Sequence, residues 1–193
     1  MIDVKDLCYS YNDQKLICNI SFQVNQSQTL YIKGSNGVGK TTLLKLLAGR
    51  ITDYSGLISK PLHSKISYIP VRTNGLYDRL TGEENIKLFS DLLGVEYKTR
   101  MTAWSQIPAF KAAIQTDFKK CSIGMKQILN LFILTLNSPD IILGDEIFKP
   151  FDPETKLKVI EAIDSDFPNS IKIFITHDEH LVANNSSVKE LVL

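Results

Sequence analysis

The sequence predicts an α/β fold built on a mostly parallel β-sheet. Two observations carry that expectation. Short β-branched and aromatic runs read as strands at Leu16–Val24, Thr29–Lys33, Ile141–Gly144, Ile171–Thr176 and Val188–Leu193. Helical patterns separate the later ones, and strands interleaved with helices pair in parallel because each crossover returns the chain to the same end of the sheet. The stretch 75–138 is helical in character and reads as an insertion into that alternation.

The elements follow in order. The first thirty residues are strand-like, with a polar turn at Asn25–Gln28 before TLYIK. A glycine-rich loop, Gly34–Gly39, leads into Lys40–Arg50, where Leu43, Leu44, Leu46 and Leu47 share one helical face and Gly49 stands near the end. A short strand, Lys65–Ile69, stops at Pro70. Thr81 followed by Glu84 forms a capping-box pattern and opens a helix that runs to Leu93 and stops at Gly94. Further helices are expected at Ile107–Gln115, Gly124–Leu136, Glu154–Ser165 and, briefly, near His180.

Composition sets broad limits. With 193 residues and 44% hydrophobic content, the chain suits one domain with a sizeable core. A net charge of +1 supplies no argument for a nucleic-acid partner, and none is expected. Cys8, Cys18 and Cys121 are scattered and odd in number, which suits neither a disulfide framework nor a zinc site and fits a reducing compartment. The N-terminus lacks a signal-like apolar stretch, and every apolar run falls short of the ~20 residues that span a bilayer. A soluble chain is expected, with any membrane connection made through a partner.

Gly34-Ser35-Asn36-Gly37-Val38-Gly39-Lys40-Thr41 matches GxxxxGK[ST] in full. Its glycines let backbone N–H groups converge on phosphate oxygens, and the helix that follows adds its positive end. Lys40 supplies a point charge for the β- and γ-phosphates, Thr41 a hydroxyl for Mg²⁺, and Thr42 extends the binding loop. Chance produces this pattern in on the order of 1% of chains of this length, and here the flanking strand and helix also fit. Nucleotide binding follows. Downstream, Asp140-Ile-Ile-Leu-Gly-Asp145-Glu146 is an apolar strand ending in two acids. Asp145 suits Mg²⁺, directly or through water, and Glu146 suits a general base for an attacking water.

Those motifs admit many nucleotidases. Cys121-Ser122-Ile123-Gly124-Met125-Lys126-Gln127 narrows the choice, because it resembles the signature segment of ATP-binding-cassette (ABC) transporter ATPases. Tyr11 stands 29 residues before Lys40, where the family stacks an aromatic on adenine. Phe151-Asp152-Pro153 looks like the D-loop, and Phe174-Ile175-Thr176-His177-Asp178 like the switch-histidine segment. Gly75-Leu76-Tyr77-Asp78-Arg79-Leu80-Thr81 with Glu84 and Asn85 is similar to the helical-subdomain entry of ABC-2-type exporter ATPases.

The resemblance implies a P-loop ABC ATPase fold with a mostly parallel core sheet, an N-terminal antiparallel β portion and an inserted helical subdomain. Residues 1–74 and 139–193 would form the nucleotide-binding core and 75–138 the signature subdomain. It also implies ATP and Mg²⁺ as cofactors, a head-to-tail dimer with a second ABC cassette, and a transmembrane permease subunit as partner. In such a dimer Ser122 and Gly124, at a helix N-terminus, and Asp152 would serve the nucleotide held by the other cassette, while His177 would meet the γ-phosphate and water. The expected location is the cytoplasmic face of the cell membrane, with the partner's helix docked near Asn74–Phe89.

The match departs at the Q-loop, where Val71 and Arg72 follow Pro70 in place of the family's glutamine. Valine has no hydrogen-bonding group, so a metal or water contact is lost or supplied elsewhere. Ile147 replaces a usual proline, Pro150 a usual small residue and Cys121 a usual leucine, and the chain ends 16 residues after His177. A nucleotide-dependent clamp with little hydrolysis is therefore one alternative. A soluble ABC protein of translation or repair is another, though the sequence carries neither a second cassette nor a coiled-coil insertion. A small GTPase is disfavoured, because no NKxD segment follows the acidic strand. Lys119-Lys120 reads as a solvated face, His63 as a loop residue and Trp104 as core.

Overall fold

The structure is a computed structural model that describes residues 1–12, 14–71, 75–178, 181 and 188–193. It divides into two compact units. The first takes in Met1–Tyr68, Asp140–Glu146 and Asn169–Leu193, and the second Ile69–Pro139 and Ile147–Pro168.

In the first unit, β1 (Ile2–Tyr11), β2 (Gln14–Val24) and β4 (Ser55–Ser59) form an antiparallel sheet in the order β2-β1-β4. A second sheet has the order β5-β6-β7-β3-β8, from β3 (Thr29–Lys33), β5 (Ile66–Ile69), β6 (Ile141–Asp145), β7 (Ile171–Ile175) and β8 (Val188–Val192). Its β6–β7, β7–β3 and β3–β8 pairings are all parallel. Every residue of β6 and β7 is buried, which is why these strands read as unbroken apolar runs and not as alternating ones. α1 (Lys40–Leu47) packs Leu43, Leu44, Leu46 and Leu47 into the core that Ile2, Val4, Leu30, Ile32, Leu143 and Ile173 share.

The second unit is helical: α2 (Gly82–Leu93), α3 (Lys98–Trp104), α4 (Pro108–Ile114), a 3₁₀ turn at Phe118–Lys120, α5 (Ile123–Leu134) and α6 (Pro153–Asp166). Thr81 and Glu84 make the reciprocal capping box at the head of α2, as their spacing predicts. Trp104, Phe110 and Phe132 form an aromatic core with ring centroids 5.1–5.7 Å apart. Arg100 ties three helices together. Its Nε donates to Asp166 at 2.9 Å, its Nη1 and Nη2 donate to Thr135 O and Oγ1, and its guanidinium faces the rings of Phe132 and Phe167.

Two elements were not anticipated from sequence. β4 is short and mostly exposed, and its strand conformation comes from pairing with β1, from Asp3↔Ser59 to Cys8↔Ser55. α3 has no side-chain cap and buries only Trp104, so it carries neither a start signal nor an apolar stripe. The helix expected near His180 lies outside the described residues. His63 sits in an exposed turn, Trp104 is fully buried, and Lys119 and Lys120 are exposed, Lys120 pairing with Asp117.

Candidate active site

The loop between β3 and α1 forms the site's floor. Gly34, Gly37 and Gly39 hold φ values of 143°, 83° and 107°, a region that side-chain-bearing residues rarely adopt. At Gly39 space is also short: a Cβ would stand 3.0 Å from Ile17 Cγ1 and 3.2 Å from Leu16 O, so β2 presses directly on the loop. At Gly34 a Cβ would meet Leu193 O at 2.8 Å and Val38 Cγ1 at 3.1 Å.

α1 starts at Lys40 with no side-chain cap and no acid in its first turn. Its leading N–H groups therefore keep their preference for an anion. Lys40 is buried, and its Nζ donates to Gly34 O at 2.7 Å and Ser35 O at 2.8 Å, which fixes the ammonium beside the loop. One residue on, Thr41 Oγ1 donates to Asp145 Oδ2 at 2.8 Å. Asp145 ends β6 and is only 3% exposed. Burial pushes its carboxyl above the usual carboxylate range and Glu146 adds to that, while the Thr41 bond and the lysines Lys45 and Lys40 pull the other way.

A hydroxyl and a buried carboxylate in contact are two hard oxygen donors in the arrangement a magnesium ion takes, beside the phosphates it accompanies. The residues fit Mg²⁺ with a nucleotide phosphate, although no group of three or more metal-ligating side chains stands among the described residues.

Glu146 follows at φ 49°, a conformation uncommon for a residue with a side chain. Its Oε1 lies 3.3 Å from His177 Nε2, and His177 stands just past the end of the neighbouring β7. The half-exposed imidazole and the largely buried carboxylate are thus in register. A cavity of ≈ 190 Å³ is lined by Asn36, Gly37, Gly39, Lys40, Thr41, Thr42, Asp145 and Glu146. An adjoining cavity of ≈ 480 Å³ shares Leu16, Gly37 and Thr42 with it and adds Tyr9, Tyr11, Gln14, Lys45 and Ile51. Tyr11, 63% exposed, presents its ring there.

In the first unit, then, the structure gathers Tyr11, the 34–42 loop, Asp145, Glu146 and His177. Ser122, Gly124 and Asp152 belong to the second unit. Ser122 caps α5 by accepting from Met125 N at 3.2 Å, and Asp152 caps α6 by accepting from Thr155 N at 3.0 Å. Those bonds to Thr155, side chain first and backbone second, hold the Asp152 carboxyl below its usual range. A Cβ on Gly124 would stand 3.3 Å from Pro150 O, so the head of α5 packs on the turn that leads to Asp152. Val71 is 48% exposed; Arg72 and Asn74 lie outside the described residues. Sequence reasoning missed Tyr9, Gln14 and Lys45. Tyr9 could have been found from Tyr11, since residues two apart on a strand share a face.

Comparison with known proteins agrees with this geometry. Residues 17–149 match the model of the ABC transporter family. An uncharacterized ABC transporter ATP-binding protein of Bacillus subtilis, YxlF, is 29% identical over 93% of this chain and 63% of its own length. An uncharacterized ABC transporter ATP-binding protein of Methanocaldococcus jannaschii is 30% identical over 78% of this chain and 58% of its own. The chain thus spans about three fifths of the length of these relatives. A zinc import ATP-binding protein of Psychrobacter cryohalolentis is 28% identical over 96% of this chain and 77% of its own. Among solved structures, an ABC transporter ATP-binding protein from Pyrococcus furiosus superposes with a TM-score of 0.81 at 21% identity, covering 98% of this chain and 96% of that one. The family match takes in the phosphate loop, the helix it opens, the signature segment and the acidic strand, and the fold agrees nearly end to end, so this chain belongs to the ABC transporter family.

Proposed function

We propose that the chain is an ATP-hydrolysing cassette that dimerises head to tail on ATP and powers transport through a separate transmembrane permease subunit. The observation that carries this reading is the convergence of Lys40, Thr41, Asp145 and Glu146 on one cavity, with His177 at 3.3 Å from Glu146. On this reading, the 34–42 loop and Lys40 hold the phosphates of ATP, Thr41 and Asp145 hold Mg²⁺, and Tyr11 lies against adenine. Bound Mg²⁺ supplies charge neutralisation for phosphoryl transfer. Glu146 takes a proton from the attacking water, and His177 orients that carboxylate.

Residues 75–138 then act as the signature subdomain, with its Ser122 and Gly124, and Asp152 beyond it, directed to the nucleotide of a second cassette, of this chain or a related one. No described helix is long and apolar enough to cross a membrane. On the reading proposed here the permease is a separate chain and the cassette sits on the cytoplasmic face of the membrane. The described part of the surface from Asn74 to Phe89 would dock its helix; Tyr77 there is 55% exposed.

The test is oligomeric state. Glu146→Gln with saturating Mg-ATP should run as a dimer in gel filtration and return to monomer when nucleotide is removed. A variant that binds ATP and stays monomeric contradicts the dimer. Val71 favours a second reading, a clamp that closes on ATP with little hydrolysis. In that case the wild-type chain would itself remain dimeric in Mg-ATP for hours.

A further inference from the structure

Cys8 on β1 and Cys18 on β2 have their sulfurs 3.9 Å apart. A bulge makes this approach. Leu7 pairs with Ile20 and Tyr9 with Ile17, so the single residue Cys8 faces Cys18 and Asn19 together. Asn19 adopts φ 55° and its backbone N–H donates to Cys8 Sγ at 3.0 Å. Cys18 is exposed and Cys8 half-buried, whereas Cys121 is buried in the other unit with its thiol against Ala113 O, Thr116 O and Asp117 O.

We propose that Cys8 and Cys18 are a reversible dithiol–disulfide pair, oxidised by a low-molecular-weight disulfide, that sets the affinity of the neighbouring cleft for nucleotide. Cys18 thiolate attacks one sulfur of glutathione disulfide, forming a protein–glutathione disulfide and releasing one glutathione thiolate. Cys8 thiolate then attacks the Cys18 sulfur. The Cys8–Cys18 bond forms, the bond to glutathione breaks, and the second glutathione leaves and takes up a proton. The two protein thiols lose two protons and two electrons, and one glutathione disulfide takes them up to become two thiols. Sulfur separation has to shrink by about 2 Å, to the ~2.05 Å of a disulfide, shared between two side chains on adjacent strands.

The cleft feels that contraction through the same two strands. Tyr9, directly after Cys8 on β1, and Tyr11, beyond Ser10, line the adenine-side cavity, and Leu16, two residues before Cys18 on β2, lines both cavities. Ile17 and Leu16 also touch the Cβ-free face of Gly39 in the phosphate loop. Drawing the bulge closed displaces the tyrosines and the strand that backs the loop, and weakens nucleotide binding by at least about fivefold. The affinity effect rests on the nucleotide reading above; the cross-link does not.

The test uses the full chain, fully reduced and then equilibrated with glutathione disulfide, followed by intact mass, non-reducing peptide mapping and titration with a fluorescent ATP analogue. Wild-type protein should lose two hydrogens without retaining glutathione, map as Cys8–Cys18, and keep Cys121 reduced. Its nucleotide affinity should fall and recover with dithiothreitol. Cys8→Ser should stop at a Cys18–glutathione adduct and lose the affinity response, and Cys18→Ser should form no internal bond. A stable glutathione adduct on wild-type Cys18, a bond to Cys121, or an unchanged affinity in the mapped cross-linked protein overturns the proposal. Should neither redox form bind the analogue, the nucleotide reading fails and the affinity control with it, while the mapped bond still reports on the dithiol.

Discussion

Thr41 Oγ1 donates a 2.8 Å hydrogen bond to Asp145 Oδ2, joining the first turn of α1 to the end of β6 across 104 residues of chain. The bond sets a hydroxyl and a carboxylate side by side at the edge of the phosphate loop. It also partly offsets the cost of burying Asp145, whose carboxyl burial otherwise holds above its usual range. Removing the hydroxyl should act on both counts. Thr41→Ala is expected to lower the gain in ATP affinity that Mg²⁺ confers by about 1.5–3 kcal/mol, on the order of tenfold or more. Titration of nucleotide with and without Mg²⁺ measures that gain, and an unchanged gain removes Thr41 from the metal site.

Tyr11 is exposed and packs into no core, so it can be changed without cost to the fold. Tyr11→Ala should weaken ATP binding by about 1–3 kcal/mol, the range for one base–aromatic stack. Tyr11→Trp should restore it. Isothermal titration checks the affinities, and equal binding by the alanine variant would mean the ring does not meet the base.

Asp166 accepts from Arg100 Nε and Trp104 Nε1 at 2.9 and 2.8 Å, and both members of the ion pair are largely buried. Burial lowers the Arg100 guanidinium from its ordinary value, against the hydrogen bond and charge of Asp166. Asp166→Ala leaves that cation buried without its partner and should destabilise the helical unit by about 3–5 kcal/mol. Urea unfolding followed by tryptophan fluorescence reports this directly, because Trp104 is the one tryptophan in the chain. A loss under about 1 kcal/mol, the scale of an exposed pair, would contradict the assignment.

Cys121 is buried, and burial, aided by Asp117 and opposed by Lys126, pushes its thiol pKa up. The folded state therefore holds this proton at a pH where the unfolded chain has begun to release it. Stability should fall as pH rises above the ordinary thiol range, and the fall should be smaller in Cys121→Ala, where the raised phenols of Tyr68 and Tyr97 still contribute. Near neutral pH, iodoacetamide should label Cys8 and Cys18 well before Cys121, as read by peptide mapping. Equal labelling rates would mean the thiol is neither buried nor raised.

Much of this site could be read from residues in sequence because its chemistry is contiguous. The glycines of Gly34–Gly39 and the lysine after them need one another within a single turn, so their spacing survives as text. Asp145 and Glu146 were readable because a fully buried parallel strand is an unbroken apolar run that stops at the cleft. What escaped depends on pairing. β4 takes its conformation from β1, Tyr9 and Gln14 reach the cleft through the β1–β2 register, and the approach of Cys8 to Cys18 depends on a bulge that periodicity does not encode. The left-handed turn at Glu146 was also hidden, since no glycine marks it.

The central claim is tested most directly by steady-state ATP turnover of the full chain in Mg²⁺ across protein concentration, beside Glu146→Gln. Turnover per chain should rise with concentration, as a dimer-dependent enzyme requires, and the variant should lose about 10²–10⁴-fold of it while still binding ATP. Saturable ATP binding without turnover at any concentration, or turnover that persists in Glu146→Gln, would contradict it.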